Sequence, residues 1–148
     1  MANNEIKEKG IKYFSGTATY RKIFNLPAEQ KGGPARLQLG QVFDIARIRI
    51  NKKDLGVVWT DPWRVDISNA IKPGENELEI EVANCWANRL IGDAGLPESK
   101  RYTRTNVRLL PEKGKYRDYE AFSARDSLLP SGLIGPVYIE FGKEIYLK

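Results

Sequence analysis

Three tryptophans, Trp59, Trp63 and Trp86, and the polar side chains gathered around the last of them are the residues whose types could do chemistry. An indole is a broad apolar plate with one polar N–H, so it suits stacking on the C–H face of a pyranose ring at a half-wet surface. Asn84, Asn88, Arg89 and Asp93 surround Trp86, and Arg104 and Asn106 follow. These planar donors and acceptors are what hydroxyl or carboxylate recognition requires. Carbohydrate binding is therefore the chemistry this set offers. Each member also has a structural alternative. Tryptophans are largely buried on average, and Asn88, Arg89 and Asp93 could instead form an internal network that shapes a long loop. Trp63, following Asp61 and Pro62 at the start of a strand, is the tryptophan expected at a rim.

Composition removes most catalytic arrangements. Histidine is absent and Cys85 is the only cysteine, which excludes Ser-His-Asp and Cys-His nucleophiles, Cys/His zinc sites and a disulfide within the chain. Cys85 is expected to be a small buried hydrophobe. Glycosidases use two acids about 5 to 9.5 Å apart. Asp44, Asp61, Asp66, Asp93, Asp118, Glu120 and Asp126 are available, but no spacing singles out a pair, so no catalytic residue and no metal ligand is named. The formal charge of +5 is concentrated at Lys100, Arg101, Arg104, Arg108, Lys113, Lys115 and Arg117. That stretch is either a solvated loop or a surface for an anionic partner. No nucleic-acid motif or stacking platform accompanies it, so nucleic acid is not expected as a partner. Neither is a membrane, because no run approaches the roughly 18 apolar residues a span needs and MANNEIKEKG is too polar for a signal peptide's apolar core.

The elements that must position these residues are strands. In GTATYRKIFN, Ala18, Tyr20 and Phe24 alternate with Thr17, Thr19, Arg21 and Ile23, which reads as a half-buried antiparallel strand. Pro27 ends it, and AEQKGGP is turn chemistry. Leu37 and Leu39 mark a second strand. FDIARIRIN places Ala46, Ile48 and Ile50 opposite Arg47 and Arg49, then reverses through residues 51–54 into LGVVW, a hairpin. WRVDI adds a strand, SNAIKPGEN a turn. ELEIEVA is the cleanest period-two segment, with Leu78, Ile80 and Val82 inward and three glutamates outward. From Asn84 to Gly135 alternation fades into what is expected to be long loops. PVYIEFGKEIYL then restores a strand with Val137, Ile139 and Phe141 on one face, returning to pair within the same sheets. The expected organisation is a flexible lead-in over residues 1–13 and a single all-β antiparallel sandwich over 14–148, with 41% hydrophobic residues supplying its core.

With the strands read this way, YRKIFNLP, IRINKKDLG, WRVDI and KPGENELEIEV resemble in their order the sugar-binding, galactose-binding-like jelly-roll domain of glycoside hydrolase family 2. Where that family has its V-N-G-K-x-x-G turn, Lys52 or Lys53 stands in place of the turn glycine, so a turn longer than two residues is expected. The string VANCWANRLIGDAGLPESKRYTRTN further resembles the C-terminal β-sandwich of bacterial α-L-rhamnosidase-type enzymes of glycoside hydrolase family 106. Together the two resemblances extend from Tyr13 to Leu147. They imply a non-catalytic accessory domain of a glycosidase, whose partner is a glycan or the parent's catalytic domain. They also imply catalysis in a separate barrel, a periplasmic or secreted parent, and no cofactor, a structural calcium being compatible with the fold. A purely structural packing domain is the alternative, which an exposed apolar patch at Leu96, Leu128, Leu129, Leu133 or Ile134 would favour. A free-standing hydrolase is the remote one.

Overall fold

A computed structural model describes residues 9–30, 33–103 and 122–143. Among them, the strands in chain order are β1 (Thr17–Leu26), β2 (Ala35–Gln38), β3 (Gln41–Phe43), β4 (Ile45–Ile50), β5 (Lys53–Val58), β6 (Arg64–Asp66), β7 (Gly74–Ala83), β8 (Gly132–Gly135) and β9 (Tyr138–Phe141). The helices are α1 (Lys9–Lys12) and α2 (Ala87–Ala94). One sheet runs β1-β7-β4-β5, a second β6-β2-β9, and β3 pairs with β8; every one of these pairings is antiparallel. The architecture is the expected all-β sandwich.

Alternation decides the two inner faces. Ala46, Ile48 and Ile50 of β4 and Leu78, Ile80 and Val82 of β7 turn inward, where they meet Ala35, Leu37, Leu39, Val42 and Ile67 from the facing layer. Each buried Leu, Ile or Val of this kind contributes about 1.5–3 kcal/mol. The returning strand pairs as expected, β9 with β2, although only Ile139 of its apolar face packs on the core. On the outer face Glu79 lies between two arginines, accepting from Arg21 Nε at 2.7 Å and from Arg49 Nη1 at 2.6 Å. Slipping any of these strands by one residue would break this ladder and turn the apolar set to water.

Three expectations are corrected. The β4–β5 connection is not a long turn. Ile50 pairs with Lys53, and Asn51 (φ 51°) and Lys52 (φ 68°) make a two-residue reversal with both central residues left-handed, the geometry that matches strand twist. Part of the segment expected as loop is a helix, α2. Its buried side chains include Asn88 and Asp93 beside Ala87 and Ile91, its start has no capping side chain, and its first turn has no acid. The usual helix signals are thus missing from its sequence. Finally, Cys85 is exposed instead of buried, because it sits in the short link between β7 and α2. Residues 1–8 of the expected lead-in lie outside the described residues. Lys9–Lys12 form α1, and Tyr13 lies over Gly92 so closely that a Cβ on that glycine would fall 2.6 Å from the ring.

Candidate functional site: a tryptophan-walled cleft at one end of the sandwich

Register carries distant residues to one end. Thr17 and Ile45 both pair with Ala83, and Ala46 pairs with Val58, so β1 and β4 begin where β5 and β7 finish. Residues flanking a hairpin must then be neighbours: 40–44, which lead into β4, and 59–63, which leave β5, face each other across an open cleft of about 450 Å³. Gly40, Gln41, Val42, Phe43, Asp44, Trp59, Asp61 and Trp63 line it.

The two indoles play different parts. Trp63 is half-buried and packs on the core, while its carbonyl accepts the Leu39 N–H at 2.9 Å, so it is a fixed floor. Trp59 is 70% exposed and leaves a free face at the wall. Asp44 is held by two bonds to the end of β7. Its N–H donates to the Ala83 carbonyl at 3.0 Å, and its Oδ2 accepts the Cys85 N–H at 2.7 Å. With Gln41 and Asp61, both exposed, it surrounds the indoles with carbonyl and carboxylate acceptors. An apolar plate ringed by acceptors fits a sugar ring, whose faces are apolar and whose edge is hydroxyl donors.

The other expected site residues lie elsewhere. Trp86, 68% exposed, opens α2 one residue after the Cys85 link to Asp44, so it shares this end of the molecule without lining the cleft. Asn84 ties the segment before β1 to the segment before β8. Its Oδ1 accepts the Gly16 N–H at 2.8 Å, and its Nδ2 donates to the Phe14 carbonyl at 2.8 Å and to Ser131 Oγ at 2.6 Å. Asn88, only 3% exposed, clasps Leu129 through both its N–H and its carbonyl, each at 2.8 Å. Asp93, 2% exposed, accepts at Oδ2 from Tyr102 N–H (3.1 Å), Thr103 N–H (2.7 Å) and Thr103 Oγ1 (2.6 Å). Arg89 Nη2 stands 2.9 Å from Asp93 Oδ1 as an ion pair without hydrogen-bond alignment. Asp93 Oδ1 and Arg89 Nε therefore have no hydrogen-bond partner among the described residues. The guanidinium also lies against Tyr102 (4.6 Å) and Tyr13 (5.5 Å), in favourable cation–π contact. Around α2 the internal-network alternative is the geometry found. Arg104 and Asn106 lie outside the described residues.

Burial would push the Asp93 carboxyl up, but the Thr103 hydroxyl and backbone N–H, the Tyr102 N–H and the Arg89 charge outweigh it and hold the group below the usual aspartate range. Among the described residues no group of three or more His, Cys, Asp or Glu side chains gathers as for a metal ion, and no helix is long and apolar enough to cross a membrane. No sequence pattern singles out Gln41 and Phe43 of the cleft, and Asp44 and Asp61 stand in the sequence only among acids without a pair. The signal available was their position on either side of the hairpin.

The family described as glycosyl hydrolase 2 galactose-binding domain-like matches residues 2–114. A putative β-glucuronidase of Formosa agariphila is 37% identical over 147 residues, covering 90% of this chain and 13% of that protein. Among solved structures, a rhamnosidase of a Novosphingobium species is 38% identical with a TM-score of 0.77, covering 93% of this chain and 12% of its own. A β-glucuronidase of Lactobacillus rhamnosus is 27% identical with a TM-score of 0.51, over 55% of this chain and 14% of its own. The chain thus spans only 12–14% of the length of these relatives.

Proposed function

Since the chain belongs to the glycosyl hydrolase 2 galactose-binding domain-like family, we propose that it is a non-catalytic accessory sandwich of a bacterial glycoside hydrolase that contacts glycan through its end cleft. The observation that carries this reading is the convergence of Trp59 and Trp63 on one cleft with Gln41, Asp44 and Asp61. Chemistry is assigned to another part of the parent protein. A (β/α)8 barrel needs about 250 residues of its own, and no spacing in the sequence singles out the pair of acids a glycosidase uses. The relatives named as rhamnosidase and β-glucuronidase support a glycosidase as that parent.

Calorimetric titration with rhamnose-, galactose- and uronate-containing oligosaccharides tests the reading. Saturable binding at millimolar sugar is expected, weakened at least tenfold in Trp59→Ala. The unfolding midpoint should stay unchanged, since that indole is mostly in water. A tenfold loss corresponds to about 1.4 kcal/mol, within what an aromatic platform supplies. No heat with any of these sugars would overturn glycan contact.

A second reading, packing against the rest of the parent, is favoured by a different observation. Ile45, Val57 and Trp59 are exposed; the pairing of Arg47 with Val57 puts Ile45 and Val57 on the outer face of the β4–β5 edge, and Trp59 follows β5 directly at the cleft. Of the apolar residues named further along the chain, Leu129 is exposed, Leu96, Leu128 and Ile134 are half-buried, and Leu133 packs on the core. An apolar strip continuous with the cleft suits an interdomain contact. Under this reading Trp59→Ala would weaken association with the separately expressed remainder of the parent and leave sugar titrations flat.

A further inference from the structure

We infer that the end cleft selects neutral saccharides and rejects uronates, an inference that rests on the glycan-contact reading above. Its charged lining consists of Asp44 and Asp61; among the described residues no lysine or arginine lines it. Recognition of a sugar carboxylate calls for a guanidinium or ammonium with matched donors. Here every charged group is an acceptor, and the side-chain donors, the Gln41 amide and the indole N–H groups of Trp59 and Trp63, are neutral. Hydroxyl groups donate to the two carboxylates in strong, charge-assisted bonds and to the neutral Gln41 carbonyl in ordinary ones. A carboxylate brought to the same place has no proton to donate and faces two like charges. Between low-dielectric walls, such as the Trp63 floor and the Val42 and Phe43 side, that repulsion is focused instead of dispersed into bulk water. Asp44 cannot simply swing away, because the Cys85 N–H holds its Oδ2 at 2.7 Å. The chain's overall charge of +5 would on its own attract uronates, so the local arrangement and the net charge make opposite forecasts. The local one acts within a Debye length of about 8 Å at physiological salt and prevails at contact.

The experiment uses matched pairs of oligosaccharides that differ only at C6, a hydroxymethyl group in one and a carboxylate in the other, titrated into the protein at low and at 1 M salt. Each neutral member should bind at least tenfold more tightly than its uronate at low salt. The gap should shrink to under threefold at 1 M salt and likewise in Asp61→Asn, whose exposed side chain can change without disturbing the core. Equal or tighter binding of the uronates would overturn the selectivity and leave glycan contact standing. A gap that persists unchanged at 1 M salt and in Asp61→Asn would overturn the electrostatic cause. Absence of binding by every member of every pair, with the folded near-ultraviolet signal intact, would overturn glycan contact itself and the selectivity with it.

Discussion

Lys52 holds a left-handed backbone (φ 68°) that glycine adopts freely and other residues resist. Its neighbour Asn51 tolerates the same region better, and its side chain is fully engaged. Nδ2 donates to the Ala70 carbonyl and to Asn76 Oδ1, both at 2.8 Å, and Oδ1 accepts the Glu77 N–H at 3.1 Å. Asn76, buried at 1% exposure, completes the knot by bonding Lys72 N–H (2.9 Å), the Lys72 carbonyl (2.7 Å) and the Gly74 carbonyl (2.9 Å). The KPGEN turn and the hairpin turn are thus one hydrogen-bonded unit, and its bonds compensate for the missing turn glycine. Lys52→Gly should stabilise the fold by about 0.5 kcal/mol, the relief at φ partly offset by a freer unfolded chain. Asn76→Ala should destabilise it by about 2–4 kcal/mol, since several buried partners lose their bonds at once. Urea denaturation of both variants measures these shifts; a destabilised Lys52→Gly would mean the lysine side chain matters more than its backbone.

At the scale of elements, the cleft depends on how β3 approaches β8. Gly40, at φ 66°, lies so close to Gly135 that an added Cβ would overlap the Gly135 carbonyl group. The two backbones can meet only where a side chain is missing, and that meeting aims 41–44 along the cleft. Gly56 offers an internal comparison. It has φ 92° at the irregularity between β4 and β5, yet a Cβ there would meet nothing within 4 Å. Gly56→Ala should therefore destabilise by about 1–2 kcal/mol through backbone strain alone. Gly40→Ala should exceed that, at about 3 kcal/mol or more, and should also weaken any sugar binding, because strain and overlap act together. Equal effects of the two substitutions in thermal unfolding would show that the close approach adds nothing.

For the whole molecule, the ion pairs and carboxylate hydrogen bonds give stability a defined pH dependence. Arg47, with the Gly56 N–H at 3.0 Å, pulls Asp54 down to about 2. Arg21 and Arg49 lower Glu79, Ser68 lowers Asp66, and Asp93 is lowered by the bonds described above. Each folded-state pKa lies below its unfolded value, so the unfolded chain binds more protons in acid. The contribution is complete above the ordinary carboxylate range and is lost as pH falls through the folded pKa, for Asp54 between 3.8 and about 2. Unfolding midpoints should be level near neutrality and fall below about pH 4. Asp93→Asn should be destabilised by about 2–3 kcal/mol at pH 7, where it leaves Arg89 without its charge partner. It should converge with the parent protein in acid, where Asp93 itself is protonated. A constant difference across the pH range would mean that shape, not charge, makes Asp93 matter.

Much of this molecule is local and was therefore legible in its residues. Period-two alternation assigned Ile48, Ile50, Leu78, Ile80 and Val82 to the core and their arginine and glutamate neighbours to water, because a pleated strand alone dictates which side chains share a face. The order of YRKIFNLP, IRINKKDLG, WRVDI and KPGEN pointed to the family now shown, and missing histidine excluded whole classes of catalysis, since chemistry cannot proceed without its groups. Tertiary structure alone decided which polar residues face the open cleft and which hold the chain. Asn84, Asn88 and Asp93 look on paper like Gln41, Asp44 and Asp61, yet the first three are closed upon internal partners and the last three open on a cleft. The difference arises from strand register and from contacts between segments far apart in sequence, such as Asn88 with Leu129 or Gly40 with Gly135. Neighbouring residues carry no trace of such pairings, because only the closed sandwich brings them within bonding distance.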